Sequence, residues 1–195
     1  MTASMNMADS QLWRRLRWLM WGGAAGVLLV PLVVMQYSRE VQWSGSDFAT
    51  MGVMLGLLCG AYEVAIRVAR SNAYVLGAGL AAVTGFLLAW VNLAVGIIGS
   101  EDNTANLVFS GVLAVALLAV VIARLRPLGM AHAMEATALA QAATCLVALL
   151  LDGTRVFVLT TVFVALWLAA AQLFRKAARQ QALQDSESGS GCTSW

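Results

Sequence analysis

Four ionisable side chains lie within apolar segments at spacings that could support chemistry: Glu63, Arg67, His132 and Glu135. Glu63 and Arg67 are four residues apart, in the order that favours an ion pair on one helix face. Glu135 lies one turn after His132, and a carboxyl group partnered by histidine could exchange protons. Because ionisable groups inside a membrane are typical of proton relays and ion pathways, these four residues are predicted transport candidates.

A structural alternative exists for the same residues. Two ion pairs near the membrane interface could fix the register of neighbouring helices, with Arg67 extending to water. The chain contains a single histidine, which excludes bis-histidine haem ligation and a multi-histidine zinc site. We therefore predict no cofactor and no metal site.

A second polar group is predicted on the opposite side of the membrane, formed by Asn92, Glu101, Asp102 and Asn103. Amide and carboxylate oxygens are ligands for a hard cation such as Ca²⁺, but their spacing does not fit an EF-hand loop. Short polar side chains at a turn and helix start also act as caps, and the same interpretation applies to Asp47.

Small residues predict where helices pack. Gly52, Gly56 and Gly60 recur every four residues and share one helix face, as in helix-docking motifs. Similar stripes in the third and fifth apolar segments led us to expect the second, third and fifth helices in the centre. The fourth and sixth segments are rich in Val, Leu, Ile and Phe, so we expect them to contact lipid.

The composition sets the class of protein that must position these residues. The chain has 195 residues, of which 61% are hydrophobic and 11% charged, with a mean hydropathy of +0.79. A soluble domain carries about a quarter charged residues. This composition excludes a disordered chain, a nucleic-acid-binding module and an ordinary cytosolic enzyme, and it predicts a polytopic membrane protein.

Six apolar segments are close to the length of about 20 residues that crosses a membrane as a helix. They are Trp18–Tyr37, Phe48–Val68, Tyr74–Ile98, Ala105–Ala123, Met130–Leu151 and Val156–Phe174. Ten of the twelve Lys and Arg residues lie before, between or after these segments on one side. By the positive-inside rule, we predict an all-α bundle of six transmembrane helices with both termini cytoplasmic and an uncleaved first helix.

The predicted domain organisation follows from these segments. Residues 1–17 form a cytoplasmic N-terminal segment, 18–174 the transmembrane domain and 175–195 a flexible cytoplasmic tail. The sequence contains no Gly-x-Ser-x-Gly, His-Glu-x-x-His or phosphate-binding glycine loop. An embedded enzyme using Glu63 and Glu135 as paired acids therefore has no motif to support it, although the residue types leave it open.

The stretch over residues 89–103, AWVNLAVGIIGSEDN, together with Trp43, Asp47 and Phe48 before it, resembles uncharacterised bacterial six-span inner-membrane proteins. The resemblance extends from Trp18 to about Phe174. It implies a multi-pass protein of the bacterial inner membrane, and that family has no assigned activity.

Taken together, the residues predict a small transporter or channel-like protein for protons, cations or a small solute. The alternative is a non-catalytic membrane subunit or scaffold whose glycine stripe docks partner transmembrane helices. The expected partners are the lipid bilayer and either a second copy of the chain or another membrane subunit, with no nucleic acid.

Overall fold

The structure is a computed structural model that describes residues 7–38, 42–94, 106–152 and 154–190. Within these ranges the regular secondary structure is α-helical and there are no strands. The helices are α1 (Met7–Tyr37), α2 (Gly45–Val68), α3 (Asn72–Ala94), α4 (Leu107–Ala123), α5 (Pro127–Asp152) and α6 (Thr154–Ser190). The chain divides into two compact units, Met1–Ile66 and Arg67–Trp195.

Four of the described helices contain segments long and apolar enough to cross a membrane: Arg15–Tyr37, Gly45–Val68, Asn72–Ala94 and Phe157–Ser188. Large apolar side chains such as Trp18, Leu117 and Ile122 are exposed, at 73%, 69% and 79% of their surface. Such a surface is stable in contact with lipid and unfavourable in water. These features indicate an α-helical integral membrane protein that contacts the bilayer.

The first unit contains α1 and most of α2, and the start of α2 is closed by a capping box. The Ser44 backbone N–H donates to Asp47 Oδ2 at 2.7 Å, and the Asp47 N–H donates to Ser44 Oγ at 3.3 Å. The rings of Trp43 and Phe48, which flank this box, pack edge to face with centroids 5.2 Å apart. The predicted capping role of Asp47 is therefore confirmed.

In the second unit, α5 and α6 form the central pair, because α6 packs against α3 and α5 while α5 packs against α4 and α6. The face of α6 that turns inward carries Phe163, Trp167, Ala170, Ala171 and Phe174, all buried. Our expectation that the sixth helix would mainly contact lipid was wrong within this unit. Alanines on that face allow neighbouring helices to approach closely, as small residues do in membrane bundles.

The α3–α6 contact depends on Gly77. A Cβ atom added at Gly77 would lie 3.2 Å from Leu173 Cβ and 3.4 Å from the Phe174 ring, so the two helices approach closely there. On the other side of Phe174, the Tyr74 ring packs edge to face at 5.1 Å. Further along the bundle, Leu88, Phe109, Val112 and Phe163 form an apolar core.

The structure also differs from the prediction of a flexible tail over residues 175–195. Helix α6 continues without interruption to Ser190. The segment after Phe174 is rich in Ala, Gln, Arg and Leu, which are strong helix formers. Its polarity led to the prediction of flexibility, whereas its helix propensity and the burial of Ala177 favour a continued helix.

Candidate functional site

Glu63 forms an ion pair in the first unit with a residue that the sequence analysis did not assign to it. Arg17 Nε lies 2.8 Å from Glu63 Oε1, and the two side chains are 51% and 16% exposed. This contact joins α1 to α2. Arg67, the partner predicted from the i,i+4 spacing, lies in the last turn of α2 and is exposed.

Glu135 forms the corresponding ion pair in the second unit. Arg175 Nη2 lies 2.6 Å from Glu135 Oε1, and the side chains are 42% and 26% exposed. The pair joins α5 to α6. His132 is exposed between the buried Ala131 and Ala133, on the outside of the helix rather than towards the bundle. The partner of Glu135 is therefore an arginine on another helix.

The predicted group of Glu63, Arg67, His132 and Glu135 is thus distributed over separate contacts. Glu63 and Arg67 lie four residues apart on α2, whereas His132 and Glu135 lie three residues apart on α5. Each glutamate has an arginine from a different helix as a partner. A charge with a partner in a membrane is far less costly than an isolated one.

Beyond the Glu135–Arg175 pair, polar side chains continue along the buried face of α5. Thr137, Gln141 and Thr144 are each less than a tenth exposed. The Thr137 hydroxyl donates to the Ala133 carbonyl at 2.8 Å, and the Thr144 hydroxyl donates to the Gln141 carbonyl at 2.8 Å. The Gln141 amide nitrogen in turn lies 3.4 Å from Thr144 Oγ1.

The polar residues of α5 reach α6 at Thr160, whose hydroxyl lies 3.1 Å from Cys145 Sγ. We call the set formed by Glu135, Arg175, Thr137, Gln141, Thr144, Cys145 and Thr160 the polar track. The sequence analysis did not identify it, because Thr and Cys are common packing residues in membrane helices. The sequence does contain a signal for the α5 part of the polar track, because Thr137, Gln141, Thr144 and Cys145 recur on one face of that helix.

Two buried polar atoms beside the polar track have no hydrogen-bond partner among the described residues: Gln141 Oε1 and Trp167 Nε1. The contacts Glu135–Arg175 and Cys145–Thr160 fix the antiparallel register of α5 and α6. Interpolation between these two contacts places Gln141 near the level of Trp167. A buried acceptor and a buried donor therefore lie at similar depth, and buried polar groups are normally satisfied by protein or water.

The second predicted polar group is described only in part. Asn92 lies near the end of α3, is half-buried, and its Oδ1 has no hydrogen-bond partner among the described residues. Glu101, Asp102 and Asn103 lie outside the described residues. Among the residues that are described, no group of three or more His, Cys, Asp and Glu side chains is arranged to hold a metal ion.

The glycine stripe of α2 lies beside a buried face formed by Met51, Leu55 and Cys59. A Cβ atom added at Gly52, Gly56 or Gly60 would meet no heavy atom of the described residues within 4 Å. The stripe therefore has open space around it, in contrast to Gly77.

Together, the helices and their paired charges define the class as an α-helical integral membrane protein with a polar interior between α5 and α6. Comparison with known proteins adds no closer assignment. No protein-family model, no curated protein and no solved structure matches the chain.

Proposed function

We propose that the chain is a small transporter or channel-like protein for protons, cations or a small polar solute, with the polar track as its path. The observation that carries this proposal is that two buried polar atoms, Gln141 Oε1 and Trp167 Nε1, have no hydrogen-bond partner among the described residues, in a helix pair that also holds the Glu135–Arg175 ion pair. Water or a polar solute between α5 and α6 would satisfy both atoms. Ionisable and polar groups that converge inside a bundle are typical of such pathways.

The dimensions of the polar track support this role. Glu135 and Gln141 are six residues apart on α5, which corresponds to about 9 Å along the helix axis. Cys145 lies a further four residues along, or about 6 Å. Thr137, Gln141 and Thr144 recur at intervals of about one helical turn on one face, whereas Glu135 lies about 120° around the helix from Gln141. A solute or proton could move along the row from Thr137 to Thr144 with a polar group at each turn.

The proposed topology has six spans, with both termini in the cytoplasm of a bacterium whose inner membrane holds the protein. Helix α5 has 26 residues, or about 39 Å, which exceeds the hydrocarbon thickness of about 30 Å. Helix α4 has 17 residues and exposes Leu117, Leu118 and Val121. Exposed leucines on both helices, including Leu139 and Leu146 on α5, support lipid contact, and the arginine distribution supports the orientation.

Flux measurements in reconstituted vesicles test the transport proposal. We expect wild-type protein to pass protons or a small cation above the rate of empty vesicles, and Gln141→Leu and Thr160→Val to lower that rate at least several-fold. Thr161→Val is the matched control, because Thr161 is adjacent to Thr160 but exposed. Wild-type flux equal to that of empty vesicles, or equal flux in Thr160→Val and Thr161→Val, would reject the polar track as a path.

The second candidate function is a non-catalytic membrane subunit that docks a partner helix or a second copy of the chain. The open space around Gly52, Gly56 and Gly60 favours it, because close helix contact requires small residues on an uncovered face. Cross-linking through a cysteine placed at Gly56 in native membranes would test it. A cross-linked product is expected at Gly56 and not at the exposed Leu57, and the absence of any product from both positions would exclude this role.

A further inference from the structure

A cavity of about 230 Å³ opens at the end of the second unit that carries the α4–α5 connection. Three chain segments form it: the start of α3, the connection between α4 and α5, and the last part of α6. Its polar lining comes from Arg70, Ser71, Tyr74, Arg124, Arg126, Gln181 and Gln184. The cavity is separate from the polar track, none of whose residues lines it.

The cavity concentrates positive charge without a compensating carboxylate. Arg70, Arg124 and Arg126 contribute three guanidinium groups, and no carboxylate side chain lines the cavity. None of the three forms an ion pair with a described residue, unlike Arg17 and Arg175. Three unpaired arginines around one concave site produce a strong positive potential, because like charges that face a low-dielectric wall reinforce one another.

The backbone that carries two of these arginines is held in an unfavourable conformation. Arg124 and Leu125 both have positive φ angles, 48° and 57°, in the left-handed region. Each such residue costs about 1 kcal/mol when it has a side chain. Arg124 is the C-cap residue of α4, and helices commonly end in this conformation, although glycine is the residue that usually adopts it.

Three hydrogen bonds hold the strained connection in place. The Arg124 N–H donates to the Val121 carbonyl at 3.2 Å, and the Arg126 N–H donates to the Ala123 carbonyl at 3.0 Å. The buried Tyr74 hydroxyl donates to the Leu125 carbonyl at 2.9 Å. These bonds fix the connection so that Arg124 and Arg126 both line the cavity.

Helix α5 adds a further favourable element. It begins at Pro127, which lines the cavity and has no backbone N–H of its own. The positive end of the helix dipole therefore lies at the same site as the three arginines. The positive end of a helix dipole and guanidinium forks at one site both favour a negatively charged phosphate group.

We propose that this cavity binds a phosphate group, carried either by an anionic phospholipid headgroup or by a soluble phosphate compound. Three planar guanidinium forks match the several oxygens of a phosphate group better than the two oxygens of a carboxylate. The cavity volume accommodates a phosphate group with several waters, since one water occupies about 30 Å³ in the liquid. Ser71, Tyr74 and Gln181 provide neutral hydrogen-bonding groups for the remaining oxygens or for a glycerol hydroxyl.

Two arms of one binding experiment distinguish the sources of the phosphate group. In the first, inorganic phosphate is titrated into the detergent-solubilised full chain, and binding is followed by the shift in the midpoint of thermal unfolding. In the second, the protein is reconstituted into vesicles of phosphatidylcholine with or without phosphatidylglycerol, and retained lipid is measured by native mass spectrometry after extraction. A response in the first arm identifies a soluble ligand, and retained phosphatidylglycerol alone identifies a headgroup.

Single substitutions of the lining arginines then test whether phosphate binds in this cavity. We expect Arg70→Gln, Arg124→Gln and Arg126→Gln each to weaken binding about tenfold, as the loss of a charge-assisted bond to phosphate would. Arg179→Gln is the matched control, because Arg179 is an exposed arginine of α6 that does not line the cavity. Gel filtration establishes that each variant is folded.

The proposal is overturned if neither phosphate nor phosphatidylglycerol binds, or if Arg179→Gln weakens binding as much as the three cavity variants do. Binding that remains at the wild-type level in all three cavity variants would also overturn it. Phosphate binding by the variant Arg124→Lys provides a second test. The variant keeps the charge but loses the fork, so binding intermediate between wild type and Arg124→Gln is expected, since lysine still attracts phosphate as a point charge.

Discussion

The Tyr74 hydroxyl donates a hydrogen bond of 2.9 Å to the Leu125 carbonyl, so the first turn of α3 holds the connection between α4 and α5. Tyr74 is 2% exposed, and its ring also packs on Phe174 of α6. A single side chain thus connects three parts of the second unit. Loss of its hydroxyl would release the connection while the ring contact remains.

Tyr74→Phe tests this relationship. We expect it to lower the free energy of unfolding by about 1 kcal/mol, the net value of a hydrogen bond whose buried acceptor loses its donor. Reversible unfolding in mixed detergent micelles would measure the change. Tyr37→Phe is the control, because Tyr37 is 90% exposed and should change stability little. Equal effects of the two substitutions would show that the Leu125 contact contributes nothing.

Arg124→Gly should stabilise the protein and weaken phosphate binding at once. Glycine adopts positive φ without steric cost, so the substitution should relieve about 1 kcal/mol of strain while it removes one guanidinium group. A general unfolding defect would lower both stability and phosphate binding. A gain in stability together with weaker binding therefore has a different cause. Unfolding measurements and the phosphate titration on the same sample would detect both.

Arg126→Gly provides the control for this prediction. Arg126 is adjacent and also lines the cavity, but only Arg124 and Leu125 among the described non-glycine residues have positive φ. Arg126→Gly should therefore weaken binding with no gain in stability. A gain of similar size at both positions would contradict the assignment of strain to Arg124.

Gly77→Val tests the close approach of α3 and α6. Its side chain would extend into Leu173 and Phe174, which lie 3.2 Å and 3.4 Å from the first added carbon. We expect a loss of about 1–3 kcal/mol, the usual cost of inserting carbon atoms into a packed interface. Gly79→Val is the matched control, because a Cβ atom at Gly79 meets no described heavy atom within 4 Å. Thermal unfolding in one detergent compares the two variants, and a loss at Gly79 as large as at Gly77 would contradict this packing.

The Glu135–Arg175 pair should be measurable as a coupling energy. A double-mutant cycle with Glu135→Gln and Arg175→Gln is expected to give about 1 kcal/mol, since both side chains are partly exposed and their attraction is screened. The comparison cycle pairs Glu135→Gln with Arg179→Gln, which lies four residues further along α6. Additivity within about 0.5 kcal/mol is expected there. Coupling of equal size in both cycles would indicate a general charge effect and not a specific pair.

The proposed topology predicts which engineered cysteines are accessible from outside the cell. In a background without Cys59, Cys145 and Cys192, we expect Ser44→Cys to react with an impermeant maleimide in intact cells. Ser71→Cys should react only after the cells are permeabilised, because its connection carries Arg70 and is assigned to the cytoplasm. Equal labelling of both positions in intact cells would reject the proposed orientation.

Much of the fold could be predicted from the sequence, because in a membrane chain apolar segments of sufficient length form helices. The start of α2 could be predicted as well, since Ser44 and Asp47 have the types and spacing of a capping box. These features depend on residues close together in the chain. Local signals of this kind are present in the sequence itself.

The arginine that joins each glutamate to a neighbouring helix could not be predicted, because it depends on which helices become neighbours. Arg17 and Arg175 lie at the edges of apolar segments and were interpreted only as topology signals. Their long side chains reach Glu63 and Glu135 on other helices. The i,i+4 and i,i+3 spacings describe contacts within one helix and contain no information about contacts between helices.

The central position of α6 in the second unit was also missed, for a different reason. Its Val, Leu and Phe content is compatible with either lipid or protein contact, because both environments are apolar. The distinguishing signal was Ala170, Ala171 and Ala177, which lie on the face that packs closely. These alanines are a weaker signal of helix packing than the glycines of α2, yet the glycines have open space around them.

The connection between α4 and α5 is only three residues long, because α4 ends at Ala123 and α5 begins at Pro127. One residue inserted there would advance α5 by a rotation of about 100° about its own axis. Glu135 would then move away from Arg175. Gln141 and Thr144 would turn from the interior towards the lipid. The length of this connection therefore determines the direction in which each polar side chain of α5 points. Insertion or deletion of one residue there should be more damaging than most substitutions.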